Sequence, residues 1–426
     1  MLDKFVSRMS YWLKPGVGVK RWCVLLGLGV LFVSIAIAMV IVRYYYLALI
    51  RLDIDLAGTV VWTRVVLLLL VGILVIVYAF VKVSNEIIGP FAPTGRSVVS
   101  VVAERNRKRK GPRVVVMGGG TGMSTMLRGL KNCTSNITAI VTMADDGGSS
   151  GRLRKDIGIL PPGDLRNCIV ALADDEALLT QLFKYRFGDG DGVNGHSFGN
   201  LFITAMSEVT GSFERALAVS GQVLAIGGKV LPSTLEDVKL IADIRQHVGD
   251  SVHRVVGESA IPQQVGVIER IHLHPEDVPA HPQALSAILS AELIVLGPGS
   301  LYTSVIPNLL VKDIASAIEN SRGLKVYVAN LATQIGETEK FSLSQHTQVI
   351  NEYADESFKL VLSNNSYVGK LLPEMEWVRT DADKCPGWEI IAGDLADEIS
   401  PWRHDSEKLA KALMALLNER PVIAIL

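Results

Sequence analysis

The chain contains 426 residues, with 42 Lys and Arg, 43 Asp and Glu, and a formal net charge of −1 at pH 7. This length accommodates one large domain or two ordinary domains with appendages, and the balanced charge argues against nucleic acid as a partner. Apolar residues make up 49% of the chain, which is high for a soluble enzyme because two apolar stretches lie near the N-terminus.

These two stretches predict a transmembrane helical hairpin. Residues 22–42 contain one clearly polar side chain, Ser34, and residues 65–81 form a second apolar run. At a rise of ~1.5 Å per residue, the first run crosses a hydrocarbon core, and the second crosses it with help from tilt and from the flanking Trp62 and Tyr78. The alternatives are a signal peptide and a buried core helix. The length of the first run and the presence of the second argue against both.

Basic residues outside the two runs predict the orientation of the hairpin. Lys and Arg are concentrated before the first run and after the second, and Asp53 and Asp55 partly offset the arginines between the runs. The positive-inside rule then places both termini and the main domain in the cytoplasm, with the spans in the inner or plasma membrane. We divide the chain into a cytoplasmic N-terminal tail (1–21), the hairpin (22–83), a basic linker (84–112) and a C-terminal domain (113–426).

The basic linker contains a cluster of Lys and Arg over residues 105–110. So close to a membrane span, such a cluster attracts anionic lipid headgroups by ~1 kcal/mol per basic residue. A solvated linker that only fixes the topology is an equally good interpretation. Nucleic-acid binding is disfavoured because no aromatic residues interleave with the charges.

Strand and helix patterns alternate from residue 113 onward, which predicts an α/β fold with a Rossmann-like parallel sheet and helices on both faces. Ligands of such sheets bind outside the carboxyl ends of the strands. Short strand patterns over residues 230–274 predict a small antiparallel insertion, with turns at His253 and Gly257. A single helix is predicted over residues 307–319.

A strand, a glycine turn and a helix start follow one another over residues 113–130. The turn places unpaired N–H groups and the positive end of a helix beside open space, which favours a phosphate or diphosphate. Met123 stands where the third glycine of a dinucleotide fingerprint would fall, and no Walker A lysine follows, so a purely structural turn is the alternative. The candidate contact residues are Gly118, Gly119, Gly120, Thr121 and Gly122.

Paired carboxylates follow the second predicted strand. Asp145 and Asp146 lie ~20 residues past the glycine turn, where an acidic residue of a nucleotide-binding fold meets a ribose or a metal. They are candidates to hold Mg²⁺ or to bond sugar hydroxyls. In the predicted loop that follows, Ser149, Ser150 and Arg152 offer hydroxyl groups and charge to an anion, with an ordinary Gly/Ser surface loop as the alternative.

Two helix starts bring further polar residues toward the same edge of the sheet. Asp164 is predicted to cap a helix that begins at residue 165, and Asn167 lies in its first turn. Residues 195–199 fit G-x-S-x-G, but a flexible loop rather than a strand precedes them. We therefore interpret Asn200 and its neighbours as a helix N-terminus that faces a ligand, not as a hydrolase nucleophile.

A second junction from strand to turn to helix occurs over residues 293–303. Gly297, Gly299 and Ser300 open another helix, so the sequence predicts two anion sites facing each other across the sheet edge, which suits a diphosphate. Asn308 and the loop over residues 330–338 are predicted to close the same crevice.

Several of these stretches resemble the motifs of the YvcK/CofD family, most closely those of its YvcK branch. In the order of the family, they are GGGTG at Gly118, ADDGGSSGRLR at Ala144, PPGD at Pro161, GHSFGN at Gly195, GPGSLYTS at Gly297, IPNLLV at Ile306 and TQIGET at Thr333. The resemblance implies a Rossmann-like domain that binds a UDP-sugar such as UDP-N-acetylglucosamine. It also implies a role in cell-wall synthesis and cell shape during growth on gluconeogenic carbon.

Near the C-terminus, the stretch WRHDSEKLA is similar to the RHD signature of the family, which implies that Arg403 contacts the nucleotide sugar. The predicted hairpin is a departure from the soluble members of the family. After Asn365, a family tyrosine that contacts the nucleotide sugar has no obvious counterpart.

Three functional hypotheses follow. The first is a membrane-anchored, non-catalytic regulator that binds a UDP-sugar, because no candidate base or nucleophile stands out beyond the aspartates. The second is a transferase of the CofD type, which moves a phospholactate-type group from a guanine nucleotide to a deazaflavin; that resemblance implies Mg²⁺ held by Asp145 and Asp146. The third is an NAD(P)-dependent oxidoreductase, which rests on fold analogy alone. A homo-oligomer is compatible with each.

Overall fold

The computed structural model describes residues 19–50, 55–88, 98–173, 176–188, 192–246 and 251–419. Most of the predicted N-terminal tail and residues 89–97 of the predicted linker lie outside the described residues. The chain divides into two compact units, Met1–Asn106 and Arg107–Leu426. The boundary falls six residues before the predicted one, and residues of the predicted linker form helix α3 (Val98–Arg109).

The first unit contains two long apolar helices, α1 (Val19–Ile50) and α2 (Asp55–Ile88). Within them, Lys20–Tyr45 and Trp62–Glu86 are long and apolar enough to cross a membrane, each with a mean hydropathy of 2.9. Most of their apolar side chains are exposed, as in Leu74 at 68%. The prediction of two apolar helices of spanning length is therefore confirmed.

The two helices cross where glycines allow the backbones to approach. A Cβ atom on Gly29 would lie 2.8 Å from Cγ1 of Ile76, and one on Gly72 would lie 2.8 Å from Cγ2 of Val33. Small residues at a helix crossing permit close van der Waals packing of the two backbones. In transmembrane helices generally, such packing favours association because the hydrophobic effect does not drive helices together in lipid.

The second unit is built on a seven-stranded parallel sheet, which confirms the predicted Rossmann-like architecture. Its order is β10-β9-β8-β7-β1-β2-β3. The strands are β1 (Val114–Gly118), β2 (Ile137–Val141), β3 (Lys229–Pro232), β7 (Leu293–Leu296), β8 (Leu324–Val328), β9 (Leu360–Asn364) and β10 (Glu389–Gly393). Every residue of β1 and β7 is buried, as expected for central strands covered on both faces.

A small antiparallel sheet forms the predicted insertion, with the order β5-β4-β6. Its strands are β4 (Lys239–Arg245), β5 (His253–Val256) and β6 (Val267–His274). Two details of the prediction are wrong. Residues 229–232 form β3 of the main sheet because they pair with β2, and His253 begins a strand rather than a turn.

Helices cover the main sheet. They are α4 (Gly120–Leu130), α5 (Gly148–Ile157), α6 (Gly163–Leu172), α7 (Glu176–Lys184), α8 (Phe198–Thr210), α9 (Phe213–Val223), α10 (Pro282–Ser290), α11 (Ile306–Leu309), α12 (Lys312–Asn320), α13 (Leu343–Ala354) and α14 (Ser406–Glu419). Their apolar faces and the sheet form one continuous core that includes Met117, Leu127, Ile169 and Val295.

Two helix predictions need correction. The Gly/Ser stretch after Asp146 is helix α5 rather than a loop, because Leu153 is buried and Gly158 ends the helix in the left-handed region, with φ 78°. The single helix predicted over residues 307–319 is divided into α11 and α12, and a π-helical turn (Leu301–Val305) precedes α11.

Candidate functional site

The glycine turn between β1 and α4 has almost no space for side chains. Gly120 has φ 65°, and a Cβ atom on Gly119 would lie 2.6 Å from Oδ2 of Asp164. On the other side, a Cβ atom on Gly122 would lie 2.7 Å from the carbonyl oxygen of Pro298. The turn is therefore pressed between the start of α6 and the second glycine junction.

The N-terminus of α4 presents open hydrogen-bond donors. Gly120 N–H donates to Asp164 Oδ2 at 2.7 Å, whereas the N–H groups of Thr121 and Gly122 have no partner among the described residues. Unpaired N–H groups at the positive end of a helix attract anions. This end of α4 is the anion-binding feature that the sequence predicts.

A cavity of about 260 Å³ opens beside this turn at the carboxyl end of the sheet. It is bordered by the first glycine turn, the second glycine turn, the loop after β8 and the segment before α14. The lining residues include Gly119, Gly120, Thr121, Gly122, Thr125, Pro298, Gly299, Ser300, Ser304, Asn330, Gln334, Trp402, Arg403 and His404. Two predicted glycine turns and the predicted arginine therefore share one cavity.

The second glycine junction differs from the prediction because side chains already bond its N–H groups. Gly299 N–H donates to Asn330 Oδ1 at 3.3 Å, and Leu301 N–H donates to Gln334 Oε1 at 3.3 Å. The buried carboxylate of Glu337 accepts from Tyr302 N–H at 3.1 Å. The structure thus has one open helix N-terminus at this cavity where the sequence predicts two.

Asp145 connects the acidic loop to the glycine turn through α6. Its Oδ1 accepts a hydrogen bond from Gly147 N–H at 2.9 Å. Its Oδ2 lies close to Gly163, because a Cβ atom on that glycine would be 2.9 Å from it. The next residue of α6 is Asp164, which bonds Gly120. The sequence predicts that Asp164 caps α6, and this prediction is wrong. Helix α6 begins at Gly163, one residue before Asp164, and has no side-chain cap.

Asp146 is turned toward the antiparallel insertion instead. Its Oδ1 accepts from Ser259 N–H at 2.9 Å, and its Oδ2 lies 2.5 Å from where a Cβ atom on Gly257 would sit. The insertion also touches the loop after β8, since a Cβ atom on Gly336 would collide with the carbonyl of Pro262. The turn over residues 257–263 consequently contacts both sides of the site.

Several carboxyl groups near this loop repel one another. Burial, and then the charge of Asp145, raises the pKa of Asp164 to about 6. Burial, followed by the charges of Asp145 and Asp164, raises the pKa of Glu258 to about 8. Glu258 was not predicted, because no motif marks it and the insertion brings it to the site from far along the sequence.

The described residues contain no group of three or more His, Cys, Asp or Glu arranged to hold a metal ion. A cation beside Asp145 would therefore need oxygen ligands from a bound molecule as well. The crowding of Asp145, Asp164 and Glu258 fits a cation, because a positive charge would relieve their mutual repulsion.

A buried polar network supports the acidic loop from behind. Arg166, 8% exposed, donates to Asn200 Oδ1 at 3.0 Å and to Asn167 Oδ1 at 2.8 Å. Asn200 in turn donates to Ser149 Oγ at 3.0 Å, and the same hydroxyl bonds His196 at 3.0 Å. These groups hold α5, α6 and α8 together, so their polar atoms are used inside the protein.

Arg403 reaches the cavity from the segment before α14. Its side chain is exposed and forms no ion pair with the described residues. The neighbouring His404 is buried and hydrogen-bonds the backbone of Ala329. Helix α14 then packs on α4 at Gly129, where a Cβ atom would collide with the carbonyl of Ser406. Arg403 precedes α14 and the glycine turn precedes α4, so the contact between these two helices holds both features at the same cavity.

The predicted contact residues fall into three groups. Those that line the cavity are Gly119, Gly120, Thr121, Gly122, Gly299, Ser300 and Arg403. Those whose polar groups bond within the protein are Ser149, Ser150, Asn167, Asn200 and Asn308. The remaining five do not line it: Gly118 and Gly297 lie next to each other behind the glycine turns, Asp145 lies beside Gly163, Asp146 beside Gly257 and Arg152 beside Gly195.

Larger cavities of about 390, 380 and 290 Å³ occur elsewhere in this unit. The first opens at the amino ends of β1, β2 and β3, the second lies beside β6, and the third lies between α9 and β3. None of them adjoins either of the two predicted glycine turns, and ligands of parallel sheets bind at the carboxyl ends. The smaller cavity beside α4 remains the candidate site.

Comparison with known protein families matches residues 114–420 to the model of 2-phospho-L-lactate transferase CofD. A relative from Nostoc sp. is 42% identical over 96% of this chain and 92% of its own length, so the similarity extends into the N-terminal helices. The gluconeogenesis factor of Bacillus subtilis is 42% identical over 72% of this chain and 99% of its own length. That of Listeria monocytogenes is 44% identical over 73% and 97%, respectively.

Among solved structures, the crystal structure of protein BH3568 from Bacillus halodurans superimposes with a TM-score of 0.68 and 42% identity. It covers 72% of this chain and all of the other. A second crystal structure of that protein describes it as a member of the UPF0052 family.

Proposed function

Because this chain belongs to the CofD/YvcK family, we propose that it is a membrane-anchored regulatory protein that binds a nucleotide sugar on its cytoplasmic side. The observation that carries the proposal is the shared cavity: the open N-terminus of α4 borders the same space as the guanidinium of Arg403, which has no ion-pair partner in the described part of the chain. A diphosphate is the ligand group that both would bind.

The two ends of a nucleotide sugar have different neighbours in this arrangement. The diphosphate would lie at Thr121 and Gly122. The sugar or base would lie against the loop after β8, where the amide groups of Asn330 and Gln334 are held by hydrogen bonds to the second glycine junction. UDP-N-acetylglucosamine is our first candidate because the motifs resemble the YvcK branch. Its binding would report the supply of cell-wall precursor to envelope synthesis and so influence cell shape.

Mg²⁺ is a proposed companion of the ligand. Asp145, with Asp164 as its neighbour, would hold the ion together with diphosphate oxygens, and the ion would neutralise negative charge there. Asp146, the other predicted ligand, bonds Ser259 instead.

A second candidate function is transfer of a phospholactate-type group from a guanine nucleotide to a deazaflavin. The match to the CofD model favours it, as does the pair of raised-pKa carboxyl groups next to the cavity. Against it, neither Asp145 nor Asp164 is among the residues that line the cavity, and a general base must lie within hydrogen-bond reach of the reacting group.

Calorimetric titration of a fragment covering residues 107–426 tests the proposal. The fragment corresponds to one compact unit, and the Bacillus subtilis relative matches this part of the chain over 99% of its own length. We expect UDP-N-acetylglucosamine to bind more tightly than GDP or NADH, and Mg²⁺ to strengthen binding. Turnover of a guanine-linked phospholactate with a deazaflavin would favour the transferase instead.

The variant Arg403→Gln identifies the site in the same titration. Loss of a charge-assisted hydrogen bond to the diphosphate should weaken binding about 10- to 100-fold. Arg322→Gln, which removes an exposed arginine outside the cavity lining, is the matched control. Equal affinity in wild type and Arg403→Gln would contradict the proposed site.

A further inference from the structure

One end of the helical hairpin carries a cluster of charged and aromatic side chains. Arg21 and Trp22 come from α1, and Tyr78, Lys82 and Glu86 come from α2. The three residues of α2 are four positions apart and share one face of the helix. The Trp22 and Tyr78 rings meet edge to face at 5.8 Å, and Trp22 Nε1–H donates to Glu86 Oε2 at 2.7 Å. We call these five residues the basal cluster.

The basal cluster has more positive than negative charge. Arg21 pairs with Glu86 at 3.6 Å and lies 4.9 Å from the centre of the Trp22 ring. The Lys82 ammonium lies 5.5 Å from the Trp22 ring and 5.7 Å from the Tyr78 ring. Among the described residues, Lys82 has no carboxylate partner. Within the part of the chain that the structure describes, the Lys82 cation is therefore contacted by aromatic rings and no carboxylate neutralises its charge.

The position of the cluster specifies what neutralises that charge. The candidate spans begin at Lys20 and end at Glu86, so the cluster lies at the boundary between the apolar helices and water. Tryptophan and tyrosine at this level lie among lipid headgroups. Apolar side chains next to the cluster, such as Val24 at 66% and Val77 at 55% exposure, are available to acyl chains.

We propose that the basal cluster binds the headgroup of an anionic phospholipid such as phosphatidylglycerol, with its phosphate between Lys82 and Arg21. This inference rests on the proposed membrane anchoring. A zwitterionic headgroup provides no net charge to balance Lys82, so the cluster should select for net negative charge. Lipid selection would then occur within the hairpin itself, apart from the basic residues that follow it.

Native mass spectrometry of the full chain tests this proposal. The chain is purified in detergent, delipidated and titrated with phosphatidylglycerol or with phosphatidylcholine. We expect preferential retention of phosphatidylglycerol, and we expect Lys82→Gln to weaken it about five-fold, the effect of one interfacial cation. Arg64→Gln, which removes an exposed arginine at the other end of α2, is the matched control and should change nothing.

A second variant is expected to act in the opposite direction. Glu86→Gln keeps an oxygen that accepts from Trp22 Nε1–H but removes the carboxylate that competes with the phosphate, so it should strengthen phosphatidylglycerol binding by a similar factor. The headgroup site is overturned if phosphatidylcholine binds equally well, if Lys82→Gln binds as the wild type does, or if Arg64→Gln loses as much.

Alkaline carbonate extraction of membranes containing the full chain distinguishes failure of the proposed membrane anchoring from failure of the proposed headgroup site. A chain that carbonate releases would contradict the anchoring and the headgroup site together. A chain that stays in the membrane but shows no preference for phosphatidylglycerol would contradict the headgroup site alone.

Discussion

The carboxyl group of Asp164 shows how one residue can have a partner that its local sequence does not reveal. It accepts from Gly120 N–H, 44 positions away. Its position before an apolar run predicts a helix cap, but α6 begins one residue earlier, at Gly163. The hydrogen bond depends on two loops meeting at the sheet edge, which no local pattern encodes.

We expect Asp164→Asn to flatten the pH dependence of stability in the 107–426 fragment. The folded-state pKa is raised from 3.8 to about 6, so the folded state holds the proton more tightly than the unfolded chain does. Stability is therefore lost as pH rises between these values. Asn retains an acceptor for Gly120 N–H and has no proton to lose. Urea unfolding measures the free energy of unfolding at about pH 4 and pH 7. The decrease in this free energy from the lower to the higher pH should be roughly 2–3 kcal/mol smaller in the variant than in the wild type.

Asp164→Ala provides the comparison for this prediction. Alanine removes the acceptor as well as the charge, so the variant should unfold more easily at both pH values. Parallel pH profiles for wild type and Asp164→Asn would show that this carboxyl group is not the source of the slope.

At the level of elements, the sequence predicts those with a clear apolar period. The β-branched runs of β1, β2 and β7 and the helical spacing of α4 are confirmed. Helix α5 was missed because its Gly/Ser start has little apolar periodicity and it buries few apolar side chains. The second glycine junction differs from the expectation because the N–H groups of Leu301 and Tyr302 already donate to Gln334 and Glu337, which come from a distant loop.

The contact between the insertion and the loop after β8 can be tested with a glycine pair. Gly336 and Gly387 both have positive φ, at 77° and 81°, but only Gly336 lies against backbone, at Pro262. Substitution by alanine adds left-handed strain at both positions, about 1–2 kcal/mol. In urea unfolding of the 107–426 fragment, Gly336→Ala should lower the free energy of unfolding by about 1–3 kcal/mol more than Gly387→Ala does, because the added methyl group overpacks the contact with Pro262. Equal decreases in the free energy of unfolding for the two variants would contradict a tightly packed contact between Gly336 and Pro262.

The helix crossing in the hairpin offers another matched pair. Gly29 is buried against α2, whereas a Cβ atom on Gly27 would meet no atom within 4 Å. Gly29→Leu should separate the helices at a cost of about 2 kcal/mol, whereas Gly27→Leu should not. Hydrogen exchange of the full chain in detergent should be roughly 30-fold faster in α1 and α2 of the first variant. Similar exchange in both variants would contradict packing at Gly29.

At the scale of the whole molecule, composition and periodicity were enough to divide the chain into an apolar hairpin and an α/β unit. The fold class follows from the alternation of strands and helices, and family membership follows from motifs in a fixed order. The assembly of the cavity could only be expected in outline, because the turns that border it lie about 180 residues apart, at Gly119 and Gly299.

The two units should separate by fractionation. The full chain should stay in the membrane pellet after carbonate extraction, because each span exposes enough apolar surface to make transfer to water costly. The 107–426 fragment should remain in the supernatant. Recovery of the full chain in the supernatant would contradict the proposed anchoring, whereas a sedimenting fragment would indicate a second membrane contact.

The contact at Gly129 limits how a signal could leave the site. Because α4 packs closely on α14 there, we expect the wall that carries the open N–H groups and the wall that carries Arg403 to resist separation. Ligand binding is therefore not expected to spread these walls apart. Of the contacts described around the site, the turn over residues 257–263, which touches Asp146 and Gly336, is then the one that we expect to change on ligand binding.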